Sequence, residues 1–190
     1  LPISTAQALF ALARAKPRAL SYGTPGTGTS AHFTGELLKR MAKIDLVHVP
    51  YKGGGAAIAD LVGGQIEVAL LGSSTVISQA KAGTVRILAV STARRSSALP
   101  DVPTLAEAGV PGFDMAQWVA VLGPARLPTS IVARLNGEIG KLLAQSSVRE
   151  RLEASGFEPS PSTPEQLAAR IRDGIERWRR LAQELKLELN

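Results

Sequence analysis

The sequence predicts an α/β fold: a mostly parallel sheet flanked by helices. Three observations carry this. Short apolar runs alternate with amphipathic helical segments from Ala19 to Ser91. Those runs are continuously apolar rather than alternating, as in strands buried on both faces. Aromatics make up only 4% of the 190 residues, so the core is drawn from Ala, Val, Ile and Leu, which suits layered helix and sheet.

The elements follow in order. Ser4 or Thr5 caps a first helix through about Ala15, with Leu9, Leu12 and Ala13 on one face, and Pro17 ends it. Ala19 to Tyr22 reads as the first strand. Gly23 to Ser30 is a glycine loop, and a second helix runs to about Lys43. Asp45 to Tyr51 is β-rich and stops at Lys52-Gly53-Gly54-Gly55; a helix follows from Ala56 to Val62. Ile66 to Leu71 is a third strand, Gly72 to Thr75 a third small-residue turn, and a short helix reaches about Lys81. Val85 to Ser91 reads as a fourth strand. In open α/β sheets such junctions lie at the carboxyl edge of the strands, so three loops are expected around one mouth.

The pattern changes near Thr92. Arg94 to Pro103 is polar and proline-marked, a crossing segment. Pro103 to Ala108 is expected as a short helix, and Trp118 to Leu122 as a buried strand. Pro128 to Leu143 is an amphipathic helix with Ile131, Leu135, Ile139 and Leu142 on one stripe. Ser147 is expected to cap a helix through Glu153. Thr163-Pro164-Glu165-Gln166 resembles a capping box that opens a last helix to about Leu187. This half holds too little sheet for a self-sufficient α/β lobe.

Composition narrows the function. Net charge is +6. The late arginines 170, 172, 177, 179 and 180 interleave with Asp173, Glu176 and Glu184. That is a solvated helix face rather than a nucleic-acid surface, since no aromatic platform accompanies it. There is no cysteine, which excludes disulfides and thiolate metal sites. No apolar run reaches membrane-spanning length. No signal peptide is visible, and the chain begins at Leu1 rather than Met, as a piece of a longer protein would.

The loop from Gly23 to Ser30 is the centre of the functional reading. Thr27, Thr29 and Ser30 are N-cap types, and a helix N-terminus offers free N–H groups to an anion. Gly26-Thr27-Gly28-Thr29-Ser30-Ala31 also fits a dinucleotide fingerprint. The acid that such a fingerprint needs at the end of the next strand is missing, because Asp45 precedes its strand. His32 and His48 are expected to pack; they are not spaced as a metal pair, so no metal site is expected. Lys52 to Gly55 offers a second set of N–H groups. Ser73, Ser74 and Thr75 lack an activating base and a nucleophile elbow. Three anion-friendly loops without acid–base machinery point to binding and to no catalytic residues.

Seven motifs then fall in one order: Tyr22-Gly-Thr-Pro-Gly-Thr-Gly-Thr-Ser-Ala-His32, His48-Val-Pro-Tyr-Lys-Gly-Gly-Gly55, Asp60-Leu-Val-Gly-Gly-Gln65, Lys81-Ala-Gly83, Arg86-Ile-Leu-Ala-Val90, Leu99-Pro-Asp-Val-Pro-Thr104 and Glu107-Ala-Gly-Val-Pro-Gly112. In this series the chain resembles the solute-binding receptors of the tripartite tricarboxylate transporters, the Bug receptors. The resemblance implies a two-lobed, hinged periplasmic protein of the type II Venus-flytrap kind. Such proteins capture a small carboxylate (a di- or tricarboxylate, an acidic amino acid or an aromatic acid) and deliver it to transporter membrane subunits. It implies no cofactor, no enzyme activity and no nucleic-acid partner. The ligand-binding residues it points to are Gly28, Thr29, Ser30, Gly54, Gly55, Ala56, Ser73, Ser74 and Thr75. The family often carries Asn or Asp near Gly72, which is absent here.

Measured against that family, residues 1–91 are expected to form lobe two, 92–112 the interlobe crossing, and 113–190 the C-terminal part of lobe one. The N-terminal part of lobe one is expected to be absent. The apolar surface so exposed would be covered by a second copy or by a separate N-terminal segment. Two other readings remain: a dinucleotide-dependent enzyme using Gly26, Gly28 and Ala31, and a partial receptor lobe that binds no ligand.

Overall fold

The structure, a computed structural model, describes residues 1–185 and 187. The chain divides into two compact units at the Gln117–Trp118 junction. The first unit opens with α1 (Ala6–Ala15), capped by the Thr5 hydroxyl, which accepts from Ala8 N at 3.2 Å. It continues through β1 (Ser21–Thr24), α2 (Ser30–Ala42), β2 (Val47–Pro50), α3 (Gly54–Val62), β3 (Val68–Ala69) and α4 (Ser73–Lys81).

The three strands form one parallel sheet in the order β2-β1-β3. Tyr22 faces His48 on one side and Val68 on the other in register. Central β1 is buried from Tyr22 to Thr24, as a strand flanked on both edges must be. Helix α2 lies close on β1 because Gly35 has no side chain; a Cβ there would collide with the Tyr22 ring. Its last turn is anchored by Arg14, whose guanidinium donates to Ala42 O at 3.1 and 2.7 Å. Glu67, just before β3, accepts from Ser21 N at 2.8 Å and from its hydroxyl at 2.7 Å, joining β3 to the start of β1.

Two expectations in this unit are corrected. Val85 to Ser91 is not a fourth strand: only Val90 forms a bridge, with Thr104. The β-forming side chains are present, but among the described residues no neighbouring ladder takes up the rest of the run. Pro103 to Ala108 is a single turn rather than a helix. Thr104 and Glu107 exchange reciprocal bonds of 2.7 and 3.0 Å, and Gly109 at φ 103° ends the turn.

The second unit carries α5 (Thr129–Ala144), α6 (Ser146–Ala154) and α7 (Pro164–Leu185). The capping box at the start of α7 forms as expected: Thr163 N donates to Gln166 Oε1 at 2.9 Å, and Gln166 N to Thr163 Oγ1 at 3.2 Å. The expected end near Leu187 crosses Lys186, which lies outside the described residues. Helix α6 starts at Ser146 after Gln145, with no side-chain cap, so Ser147 is not its cap. Trp118 to Leu122 is neither strand nor buried; Val119, Val121 and Leu122 are 74%, 75% and 71% exposed. A strand forms only against a partner, and among the described residues none pairs with this run. No described helix is long and apolar enough to cross a membrane.

Candidate functional site

All three strands are parallel and each runs into a helix: β1 to α2, β2 to α3, β3 to α4. The N-termini of these helices therefore meet at one edge of the sheet. In the first junction the Thr29 hydroxyl caps α2, accepting from His32 N at 3.3 Å and donating to Gly26 O at 2.7 Å. Gly28 takes φ 75°, a left-handed conformation that a side chain resists.

The second junction is tied to the first. Tyr51 N donates to Thr24 O at 3.0 Å, and Gly53 N to Pro25 O at 2.9 Å. Gly53 sits at φ 110°, so glycine is required there as well. The third junction touches the second: a Cβ on Gly54 would lie 3.1 Å from Thr75 Cγ2 and Oγ1. Gln117 closes in from beyond, its Oε1 3.2 Å from where a Cβ on Gly72 would be.

No side chain caps α3 or α4. The first N–H groups of a helix have no partner within it. Gly54, Gly55 and Ala56 of α3, and Ser73 and Ser74 of α4, thus present N–H groups at this edge, with Gly55, Ala56 and Ser74 exposed. Helix α2 adds those of Ser30 and Ala31. Other expected contact residues have internal partners. Gly28 N donates to His32 Nδ1 at 3.2 Å, Thr29 is the cap, and Thr75 N donates to Gly72 O at 2.9 Å. These three shape the loops. In the sequence Ala31 reads only as the last position of a dinucleotide fingerprint, and Gln117 is not singled out, since its type carries no binding signature.

Behind the first loop lies a polar cluster in which Tyr22 and His32 are buried and His48, Glu36 and Lys39 half-buried. The His32 and His48 rings stack 4.1 Å apart with 12° between planes, and Tyr22 stacks on His48 at 4.9 Å. Tyr22 OH donates to Glu36 Oε1 at 2.6 Å, and Glu36 pairs with Lys39 at 3.0 Å. Burial, then the Glu36 carboxylate, pushes the Tyr22 phenol up beyond the tyrosine range. Burial lowers His32, and burial with the neighbouring His32 ring pushes His48 down to about 4. Both rings are therefore neutral at pH 7. His32 is buried, as a packing role requires. Among the described residues no three acidic or histidine groups converge on a metal position.

The comparisons with known proteins fit this arrangement. The family described as "Tripartite tricarboxylate transporter family receptor" matches residues 1–187. The chain belongs to this family. It is 39% identical, over 96% of its length, to "UPF0065 protein in tcbD-tcbE intergenic region" of a Pseudomonas species, and covers 54% of that protein. It is 32% identical over its full length to Protein BugT of Bordetella pertussis, covering 58% of it. The chain thus spans little more than half of these curated relatives. Among solved structures, an R. palustris protein with adipate has a TM-score of 0.93 at 34% identity; the match covers 98% of this chain and 62% of that one. The periplasmic binding protein BugD has a TM-score of 0.84 at 26% identity, covering 99% and 64%. MatC from Rhodopseudomonas palustris with bound malate has a TM-score of 0.78 at 29% identity, covering 95% and 62%. The fold is that of the periplasmic binding proteins, and the family is one of transporter receptors, not enzymes.

Proposed function

We propose that this chain supplies the carboxylate-holding part of an extracytoplasmic receptor serving a tripartite tricarboxylate-type transporter. The observation that carries this reading is the meeting of three helix N-termini at one sheet edge, two of them with no side-chain cap. Such N–H groups and their partial positive charge suit a carboxylate. Ser30, Gly54, Gly55, Ala56, Ser73 and Ser74 donate to the ligand, with the Ser73 and Ser74 hydroxyls assisting. Gly28, Thr29 and Thr75 hold the loops. Solved relatives with adipate and malate support the ligand class, and periplasmic relatives support that location.

In this reading residues 1–91 belong to lobe two, 92–112 to the crossing and 113–190 to lobe one. The exposed apolar run at Trp118 to Leu122 meets a second copy or further polypeptide of the kind that extends the relatives. Transporter membrane subunits receive the loaded receptor.

The test is calorimetric titration of the chain with adipate, malate and an NADH control. Saturable heat with a dicarboxylate and none with NADH is the expected result. Binding of NADH alone supports the dinucleotide reading. No heat with any of the three supports a lobe that binds no ligand.

A further inference from the structure

The glycine loop between β1 and α2 is tied down from behind at both ends. At its start, Thr24 Oγ1 lies 3.3 Å from both the N and the O of Gly26, and 2.7 Å from His48 Nε2. At its end, Gly28 N donates to His32 Nδ1 at 3.2 Å. The two imidazoles that make these contacts stack face to face. Thr24 is fully buried and His32 is 6% exposed, while His48 is half-buried and Gly28 stands at the surface.

We propose that the His32–His48 stack is a positioning clamp that sets the ligand-binding shape of the glycine loop, and that protonation of His32 releases it. The proposal rests on the reading that this loop lines a carboxylate site. His32 is a positioning residue: it acts through the Gly28 peptide and touches no ligand.

The chemistry follows from the donor. A backbone N–H can only donate, so His32 Nδ1 carries a lone pair and the ring proton sits on Nε2. A phenyl ring would fill the same space and stack as well, but would leave the Gly28 N–H without its acceptor. Stacked rings also cannot aim their lone pairs at one ion, which removes a metal from consideration. A proton added to Nδ1 turns the acceptor into a donor facing another donor. The Gly28 peptide must then turn away, and the α2 end of the wall moves with it.

The groups acting on the pair are Tyr22 from β1, Glu36 and Lys39 from α2, and the two rings themselves from α2 and β2. Glu36 favours the charged rings and Lys39 opposes them. Burial outweighs both, so the clamp is closed at neutral pH and opens on the acid side of the ordinary histidine range.

Two measurements on the full chain test this. The first needs no ligand. Imidazole and amide ¹⁵N spectra are followed from neutral pH downward. His32 is expected to carry its proton on Nε2 at neutral pH, and the Gly28 amide shift is expected to move with the His32 titration. A proton on Nδ1, or a Gly28 amide indifferent to that titration, overturns the clamp. The second measures adipate affinity against pH for the native chain, His32→Asn and His32→Phe. Asparagine places an oxygen acceptor where Nδ1 stands and does not titrate. His32→Phe is expected to lose about tenfold at neutral pH, the scale of one hydrogen bond. His32→Asn is expected to bind within about threefold of native at neutral pH, and to lose less affinity than native as pH falls. The titration of adipate itself is common to all three proteins and cancels in the ratio. A phenylalanine variant that binds as native does, or an asparagine variant with the native pH profile, refutes the coupling. If neither adipate nor malate binds any of the proteins, the receptor reading fails, and the spectra alone still decide the clamp.

Discussion

Tyr22, Val110 and Phe113 in the first unit are sealed to 1% exposure or less, whereas Val119, Val121 and Leu122 in the second stand 74%, 75% and 71% open. Hydrophobicity is similar; partners are not. In the first unit the three strands and α2 meet neighbours: β1 is held between β2 and β3, and α2 packs into the space left by Gly35. In the second unit the helices form for local reasons, among them the Thr163–Gln166 capping box and the i,i+3 pairs Lys141–Glu138 and Arg179–Glu176. Their apolar stripe is made but not covered; Ile131, Leu135 and Leu142 are 44%, 50% and 50% exposed. Helices can be specified locally, while strands and cores require a second surface.

Substitutions sharpen this contrast. The largest effect is expected from Ile66→Ala, which empties a buried site in the first unit and should cost about 2–5 kcal/mol in denaturant unfolding. Gly35→Ala should cost about 1–3 kcal/mol, because the added methyl meets the Tyr22 ring in a filled space. The same change in the second unit has the opposite sign. At Gly137 and Gly174 a Cβ meets nothing within 4 Å, so Gly→Ala should stabilise the helices by up to about 1 kcal/mol. Val121→Thr should stay within about 0.5 kcal/mol, since the residue is already in water.

Acid also acts through the first unit. The unfolded chain takes up protons at histidine near 6.5, while folded His48 does so only at about 4. Between those values the unfolded state binds more protons, so stability is fully present above 6.5 and declines as pH falls toward 4. His32, lowered in the same sense, adds to the decline. A melting temperature that rises over this range on acidification would contradict the neutral histidine pair.

Much of the first unit was legible in the sequence. Thr5, Thr29 and the glycine turns mark helix starts by local chemistry, and the three junctions appear where expected. The strands were placed less well. β1 lies two residues later than the apolar run Ala19 to Tyr22 suggested, because pairing with Val47 to Pro50 sets its register. Val85 to Ser91 and Trp118 to Leu122 read as strands on composition alone, which cannot supply a neighbour. At the site, N-cap residues and glycines pointed to the right loops. Which N–H groups face outward was not readable, since that depends on His32 reaching back to Gly28 across one turn of α2. The stacking of His32 on His48 joins two elements distant in the chain, and no spacing rule announces it.

The central claim is that one edge of the first unit holds a carboxylate through backbone N–H groups. The most direct measurement is an amide ¹⁵N–¹H map of the chain titrated with adipate, repeated on Ser30→Pro and Ser73→Pro. Each proline sits at the first position of its helix, behind a residue already extended at ψ 160° or 146°, where proline is accommodated and the N–H is lost together with the serine hydroxyl; Ser30→Ala and Ser73→Ala, which lose the hydroxyl alone, are the controls. The account predicts shifts concentrated at Ser30, Ala31, Gly54 to Ala56, Ser73 and Ser74, and an affinity about tenfold lower in each variant. Shifts confined to residues beyond Trp118, or native affinity in both folded proline variants, would contradict it.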